Sequence, residues 1–345
     1  MEKIVLGDED FIVEIWSRGA AINDIRIPDR HGVMGSVVLG YGTEEARLAG
    51  KGYLGEIVGP FANRIAAGGF EIDGKHYTPE LNNNGTSTLH GGPHGFSYQD
   101  WEVVEADNNH VRLQLDWSDP TGGFPGPIHV EVVYFIQPHH EMKLLGHIVT
   151  ANSPQPSVLS IVSHPYFNLS STGAPVNDHL LMVRATAYLP VDEALIPLPT
   201  APTSVEGTAF DFSQPRHLGD ALGGGDSQVE LHQGIDHGFV IDRSDTFGDH
   251  GGIIAALSHR ESGRKMVIAS DYPVLQVYTG QGLNDDGVIH PPGAGGPFSG
   301  VALETEEYPN APRRPDFPST ICRPGEVFTR STCWSFLVDS DHEKG

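Results

Sequence analysis

From Phe11 to Val338 the chain repeats one local pattern: a short run of Val, Ile, Leu and aromatic residues, then a turn rich in Gly, Pro, Asn or Asp. That repetition limits the possible folds more than any other feature. "FIVEIW" and "AAINDIRI" come first. "HVRLQLDW" alternates Val111, Leu113, Leu115 and Trp117 with Arg112, Gln114 and Asp116, the period of two of a strand with one buried face. "IHVEVVYFI" and "EMKLLGHIVTAN" are longer and β-branched, and "SVLSIV", "GIIAALS", "KMVIAS", "PVLQVYTG" and "GEVFTRSTCWSFLV" follow. In "GFEIDGKHYTP", Asp73-Gly74 suits the positive φ angles of a tight hairpin turn. Helical periodicity is scarce; "TEEARLA" has room for about two turns.

Many short strands between turn signals indicate an all-β sandwich or barrel. Strands run through the whole chain and no linker-like shift in composition interrupts them, so one domain over residues 1–345 is expected, with its core at about residues 10–338. The longest irregular stretch, residues 197–236, still carries aromatics and leucines and stays within that domain.

Forty-five acidic against 21 basic side chains give a formal net charge of −24. Such an envelope repels nucleic acid and anionic membranes, and neither is expected as a partner. It also disfavours heavily phosphorylated ligands, although one local arginine pocket overrides net charge. No run approaches about 18 apolar residues, and "MEKIVLGDED" lacks the apolar segment of a signal peptide. Two cysteines, Cys322 and Cys333, rule out a disulfide scaffold while leaving one bridge open. A soluble cytoplasmic protein with free thiols, monomeric or homodimeric, is the expectation.

Five segments place polar residues where apolar or glycine-rich strands end: "GPFANRI" with Asn63 and Arg64, "LHGG" with His90, "SHPYFNLS" with His164, "GIDHGFVID" with Asp236 and "VALETEEYPN" with Glu304. Strand ends on a rigid sheet are where binding groups are commonly placed. Each residue also has a plainer reading. A histidine beside a strand is more often a hydrogen-bonded core residue, Arg64 could pair with a carboxylate, and Asp236 could cap a turn. Glu304 is harder to set aside, because Val301, Ala302 and Leu303 before it read as buried and an ionised carboxylate there needs a partner. Glu306 and Glu307 are expected to be solvated. The closest histidine pairs, His139-His140 and His90/His94, belong to no set with recognisable ligand spacing, so no metal is expected.

The ordered set "NRI … LHGG … HPYFNL … GIDH … YTG … ALET–YP", with "RPGE" near the end, resembles the aldose 1-epimerase, or galactose mutarotase, family. "AYLPVDEALIPLP" and "GTAFDF" are similar to its middle segments. The resemblance runs from about Arg18 to Val338. Each motif is weak and the ordered set is specific. It implies a large antiparallel β-sandwich, a supersandwich, whose open cleft binds a free monosaccharide and needs no cofactor. By position in the motifs, His164 is implied as general acid and Glu304 as general base. Asn63, Arg64, His90, Asp236 and Gln276 are implied to hold sugar hydroxyls. The chain departs from the usual pattern at Ser163, at Ser97-Tyr98 and at Gln281, around the cleft rather than at the acid and base.

Anomer exchange opens a hemiacetal: one proton leaves the anomeric hydroxyl while another reaches the ring oxygen. A carboxylate and an imidazolium on opposite sides of the sugar would supply both transfers, each typically giving about 10²–10⁴-fold. On this expectation His164 is charged and Glu304 ionised at rest. Three alternatives stay open. A glycoside hydrolase would use Asp236 and Glu304, about 5 Å or about 6.5–9.5 Å apart. A hexose-phosphate epimerase would need a basic pocket, drawn from Arg18, Arg64, Arg112, Arg313 or Arg314. A non-catalytic sugar-binding module would tolerate loss of His164 or Glu304.

Overall fold

The alternating segments pair antiparallel into three principal sheets. The computed structural model describes residues 1–138, 142–243, 252–284 and 287–339. Among them, a nine-stranded sheet has the order Glu102–Ala106, His110–Trp117, Ile128–Pro138, Lys143–Asn152, Phe328–Val338, Arg264–Ser270, Gly252–Ser258, Leu180–Val183, Arg216–His217. The last strand of the chain is inserted between Lys143–Asn152 and Arg264–Ser270, which ties distant parts of the sequence together. A six-stranded sheet has the order Tyr166–Phe167, Val301–Glu306, Val274–Tyr278, Asp236–Ile241, Ala185–Tyr188, Thr203–Ser204. A four-stranded sheet comprises Lys3–Asp8, Phe11–Trp16, Ala21–Pro28 and Met34–Ser36.

The six- and nine-stranded sheets face one another. Phe167 and Trp334 bring ring centroids to 6.1 Å, and the Thr305 and Thr332 hydroxyls meet at 2.6 Å. One hydrophobic cluster draws Val13, Val132, Leu145, Leu303 and Trp334 from all three sheets. Packing of this kind is the sandwich alternative of the expected all-β fold.

The period of two then positions the site. Along Val301–Glu306, Thr305 points to the nine-stranded sheet, so Glu304 and Glu306 point the other way. Gln276 lies opposite Glu304 and Gly238 opposite Gln276. Asp236 precedes Gly238 by two residues and shares its face. Three adjacent strands therefore present Asp236, Gln276 and Glu304 on the surface turned away from the core.

Local details follow the sequence where turn chemistry is strong. Asp73 and Gly74 have φ of 50° and 79° between Phe70–Ile72 and Lys75–Tyr77, the two positive values that this hairpin needs. Helix Glu44–Ala49 is capped by Thr43, whose hydroxyl accepts from the Ala46 N–H. "SVLSIV" departs from expectation. It is two short strands, because Ser157 and Val158 pair with Cys322 and Ile321 whereas Val162 and Ser163 pair with Ile57–Val58. Residues 197–236 contain two helices, Leu218–Leu222 and Ser227–His232, too short to set up a periodicity. Cys322 and Cys333 are both free and buried. His139 and His140 lie outside the described residues. Among those described, no helix is long and apolar enough to cross a membrane.

Candidate active site

His164 owes its position to strand register. Tyr166 pairs with Ala302 and Phe167 with Val301. Extending that antiparallel register by two residues sets His164 opposite Glu304. Its backbone N–H donates to the Glu56 carbonyl at 3.0 Å, and its carbonyl accepts from Gly55 at 2.9 Å. The imidazole Nε2 lies 3.2 Å from Glu304 Oε2, with both side chains at most 4% exposed. The two groups are adjacent, not set apart on opposite sides of a ligand as the sequence suggested.

A second pair of segments supplies the opposite wall. Arg64–Ala66 pairs with Ser87–Leu89, and the residues flanking that pairing, Asn63 and His90, adopt left-handed φ of 59° and 52°. Such backbone costs about 1–2 kcal/mol for a side chain other than Gly, and reciprocal bonds hold it here. The His90 N–H donates to the Asn63 carbonyl at 3.0 Å, and the Asn63 N–H donates to His90 Nδ1 at 3.2 Å. Nδ1 is thereby an acceptor, which places the proton of neutral His90 on Nε2.

Between these walls lies a cleft of about 600 Å³, lined by Asn63, Arg64, His90, His164, Asp236 and Glu304 among others. Arg64 Nη2 lies 3.4 Å from Asp236 Oδ2. Gln276 does not line the cleft; it donates to Asp236 Oδ1 at 2.6 Å. The structure thus gathers all seven predicted residues and shifts the role of one. Arg64 Nε and His164 Nδ1 are buried with no hydrogen-bond partner. Unpartnered buried polar atoms clustered at a cleft fit a ligand rich in hydroxyls.

Burial dominates the electrostatics. It pushes the His164 imidazole down to about 4. It drives the Glu304 carboxyl well above the usual carboxylate range, with Asp236 adding repulsion and Arg64 partly opposing it. His90 is held well below its ordinary value by burial, then by His164 and Arg64. The pair at rest therefore favours neutral imidazole and protonated carboxyl, the reverse of the charged state expected from sequence, because desolvation outweighs mutual attraction.

Other residues were not legible beforehand. Tyr53 has φ 54°; its ring is tilted against His90 at 4.6 Å and stacked on His164 at 6.0 Å between centroids. Its placement between Gly52 and Gly55 was the available signal. Tyr166 packs 4.9 Å from His164, and Tyr278 also lines the cleft. Glu306 and Glu307 are buried rather than solvated, at 0% and 5% exposure. Glu307 pairs with Arg330 at 2.6 Å. Of the departures, Tyr98 donates its hydroxyl to Tyr53 at 3.1 Å, and Gln281 lines the cleft while accepting from Thr279. Ser97 and Ser163 are buried.

Ligand-capable atoms of His90, His164 and Glu304 lie within 4.8 Å of one another. Spacing in sequence hides this set, since its members come from three separate segments. Arg313 and Arg314 face a separate groove of about 480 Å³ and are already engaged, Arg313 by the carbonyls of Ala66, Ala67 and Gly69 and Arg314 by Asp316 and the Leu198 carbonyl.

The family model described as aldose 1-epimerase matches residues 2–333. The chain belongs to the aldose 1-epimerase family. It is 36% identical to the galactose mutarotase of Bos taurus over 98% of this chain and 94% of that protein. It is 30% identical to the aldose 1-epimerase of Escherichia coli K12 over 95% and 92%. The crystal structure of an aldose epimerase homologue from C. elegans superposes with a TM-score of 0.84 at 25% identity, covering 98% of this chain and 99% of that one. A galactose 1-epimerase from Lactobacillus acidophilus NCFM gives 0.80 at 27% identity, over 97% and 94%. As a member of this family the chain is an isomerase that interconverts aldose anomers.

Proposed function

We propose that His164 and Glu304 carry the two proton transfers of this anomer exchange, on a free and neutral aldose. The observation that carries the reading is the buried imidazole–carboxyl contact of 3.2 Å at one end of a polar cleft. The two sugar oxygens that exchange protons are bonded to a single carbon, so an adjacent acid and base can reach both. With a sugar bound, protonated His164 gives its proton to the ring oxygen while the Glu304 carboxylate takes the proton of the anomeric hydroxyl. The ring bond breaks as the aldehyde forms. Rotation about C1–C2 exposes its other face, and the transfers reverse on closure.

The same burial that opposes the charged pair at rest assists this step. Ring opening turns imidazolium and carboxylate into imidazole and carboxylic acid, and a poorly solvated site favours that neutralisation. Arg64 and Asp236 supply a donor and an acceptor for sugar hydroxyls, and the His90 Nε2–H supplies a second donor. Tyr53, Tyr166 and Tyr278 offer faces to the sugar's C–H groups. Asp236, held by Arg64 and Gln276, suits a binding acceptor better than the general acid of a glycoside hydrolase. Lys51 and Arg64 are the only described Lys or Arg side chains at the cleft, which favours neutral sugars over phosphosugars. One continuous hydrophobic cluster from Leu6 to Phe336 supports reading the chain as one domain. A cytoplasmic location and a monomeric or homodimeric state complete the proposal.

Polarimetry on freshly dissolved α-galactose, α-glucose, xylose and arabinose tests the substrate class, with glucose 6-phosphate as contrast. Faster equilibration of a neutral aldose is the expected outcome. A higher kcat/KM for glucose 6-phosphate would contradict it.

A further inference from the structure

Six carboxyl side chains are buried among the described residues: Asp24, Glu56, Asp236, Glu304, Glu306 and Glu307. Five have a cationic or imidazole partner within 4.0 Å, namely Arg26, Arg47, Arg64, His164 and Arg330 respectively. Glu306 has none. It is fully buried, and its Oε2 has no hydrogen-bond partner. It stands two residues from Glu304 on the same face of the strand. The groups that face it are Glu304, Asp236, Arg64 and the Tyr272 phenol. Three of these are themselves acids, and the guanidinium is already committed to Asp236.

The one hydrogen bond recorded for the Glu306 side chain is to the site. Asn63 Nδ2 donates to Glu306 Oε1 at 3.0 Å. The other end of that amide, Asn63 Oδ1, accepts from the Arg64 N–H at 2.9 Å. The Asn63 N–H in turn holds His90 Nδ1. Glu306 therefore fixes which way the Asn63 amide points, and Asn63 fixes both Arg64 and the tautomer of His90.

We propose that Glu306 is a positioning residue that works as a neutral carboxylic acid, holding Asn63 and through it Arg64 and His90. The proposal rests on the acid–base reading of His164 and Glu304 for its kinetic consequences. A buried carboxylate with no cation beside it is costly and takes up a proton instead. Burial, then repulsion from Glu304, raise the Glu306 carboxyl well above the ordinary range. Proton occupancy on Glu306 also spares Glu304 a second negative charge next to it, leaving Glu304 as the carboxyl that exchanges protons with the sugar.

Two substitutions separate the parts of this proposal. Glu306→Gln copies the neutral acid and keeps an acceptor for Asn63. Glu306→Leu removes the acceptor. The expected result is a fall in kcat of at least about tenfold for Glu306→Leu, recovered to within about threefold of wild type in Glu306→Gln with an unshifted pH–rate profile. Side-chain ¹⁵N NMR of His90 gives a readout independent of turnover: one tautomer in wild type and Glu306→Gln, mixed tautomers in Glu306→Leu. Asn63→Ala cuts the same bond from the other end and is expected to lower kcat in the same way, which serves if Leu at 306 prevents folding. A Glu306→Gln protein as impaired as Glu306→Leu, shifted in pH profile or unable to fold would overturn the neutral-acid role. A wild-type rate and a single His90 tautomer in Glu306→Leu would overturn the positioning role. A wild-type enzyme without mutarotase activity would instead contradict the acid–base reading, and the ¹⁵N signals would still decide the role of Glu306.

Discussion

His164 and Glu304 stand opposite one another in the register that joins Tyr166–Phe167 to Val301–Glu306, and their side chains meet at 3.2 Å out of contact with bulk water. At that separation the two groups titrate as a coupled pair, and the proposed mechanism needs one exchangeable proton on it. A second proton must enter at His164, which burial pushes down to about 4. The last proton leaves only when a buried carboxyl raised well above its ordinary range gives it up. The pH dependence of kcat/KM is therefore expected to be a broad plateau through neutrality, with its acid limb near pH 4. An acid limb near about 6.5, the value of a solvated imidazole, would contradict the buried pair.

Asp236 acts on that pair through charge. Its carboxylate raises Glu304, so removing the charge should let the pair lose its last proton sooner. Asp236→Asn is expected to move the alkaline limb to lower pH and to weaken sugar binding through the lost acceptor, with the melting temperature unchanged. Both follow from kinetics across pH and a thermal melt. Wild-type kinetics at every pH would reduce Asp236 to a structural partner of Arg64 and Gln276.

The grouping of His90, His164 and Glu304 within 4.8 Å offers an ion three ligand atoms, while proton transfer needs none. Exhaustive EDTA treatment is expected to leave mutarotation unchanged. Activity that is lost and then restored by one divalent ion would replace acid–base chemistry with metal chemistry.

The sequence made the fold legible where side-chain alternation and turn chemistry spoke together, as in "HVRLQLDW" and at Asp73-Gly74. It misled at "SVLSIV", where apolar content was right but the segment changes partners halfway. Residues 218–232 gave no helical signal because each helix has about one and a half turns. The ordered motifs singled out seven residues that the structure gathers at or beside one cleft. Which residues touch depended on register between strands far apart in the chain, so neither the His164–Glu304 contact nor the transfer of Gln276 to Asp236 was visible. Charge states were not legible for the same reason, since the depth of burial is a tertiary property. Glu306 looked like one acid of the run "ETEEYP" until the strand face and Asn63 gave it a place.

The most direct measurement is single-site replacement of the acid and base. His164→Gln and Glu304→Gln approximate the shapes and abolish proton exchange at that position. Polarimetry on freshly dissolved α-galactose should show kcat reduced at least about 10²-fold in each, with KM changing far less, because the loss falls in the transition state. Near-wild-type turnover by His164→Gln would contradict the central claim that this buried pair performs the ring opening.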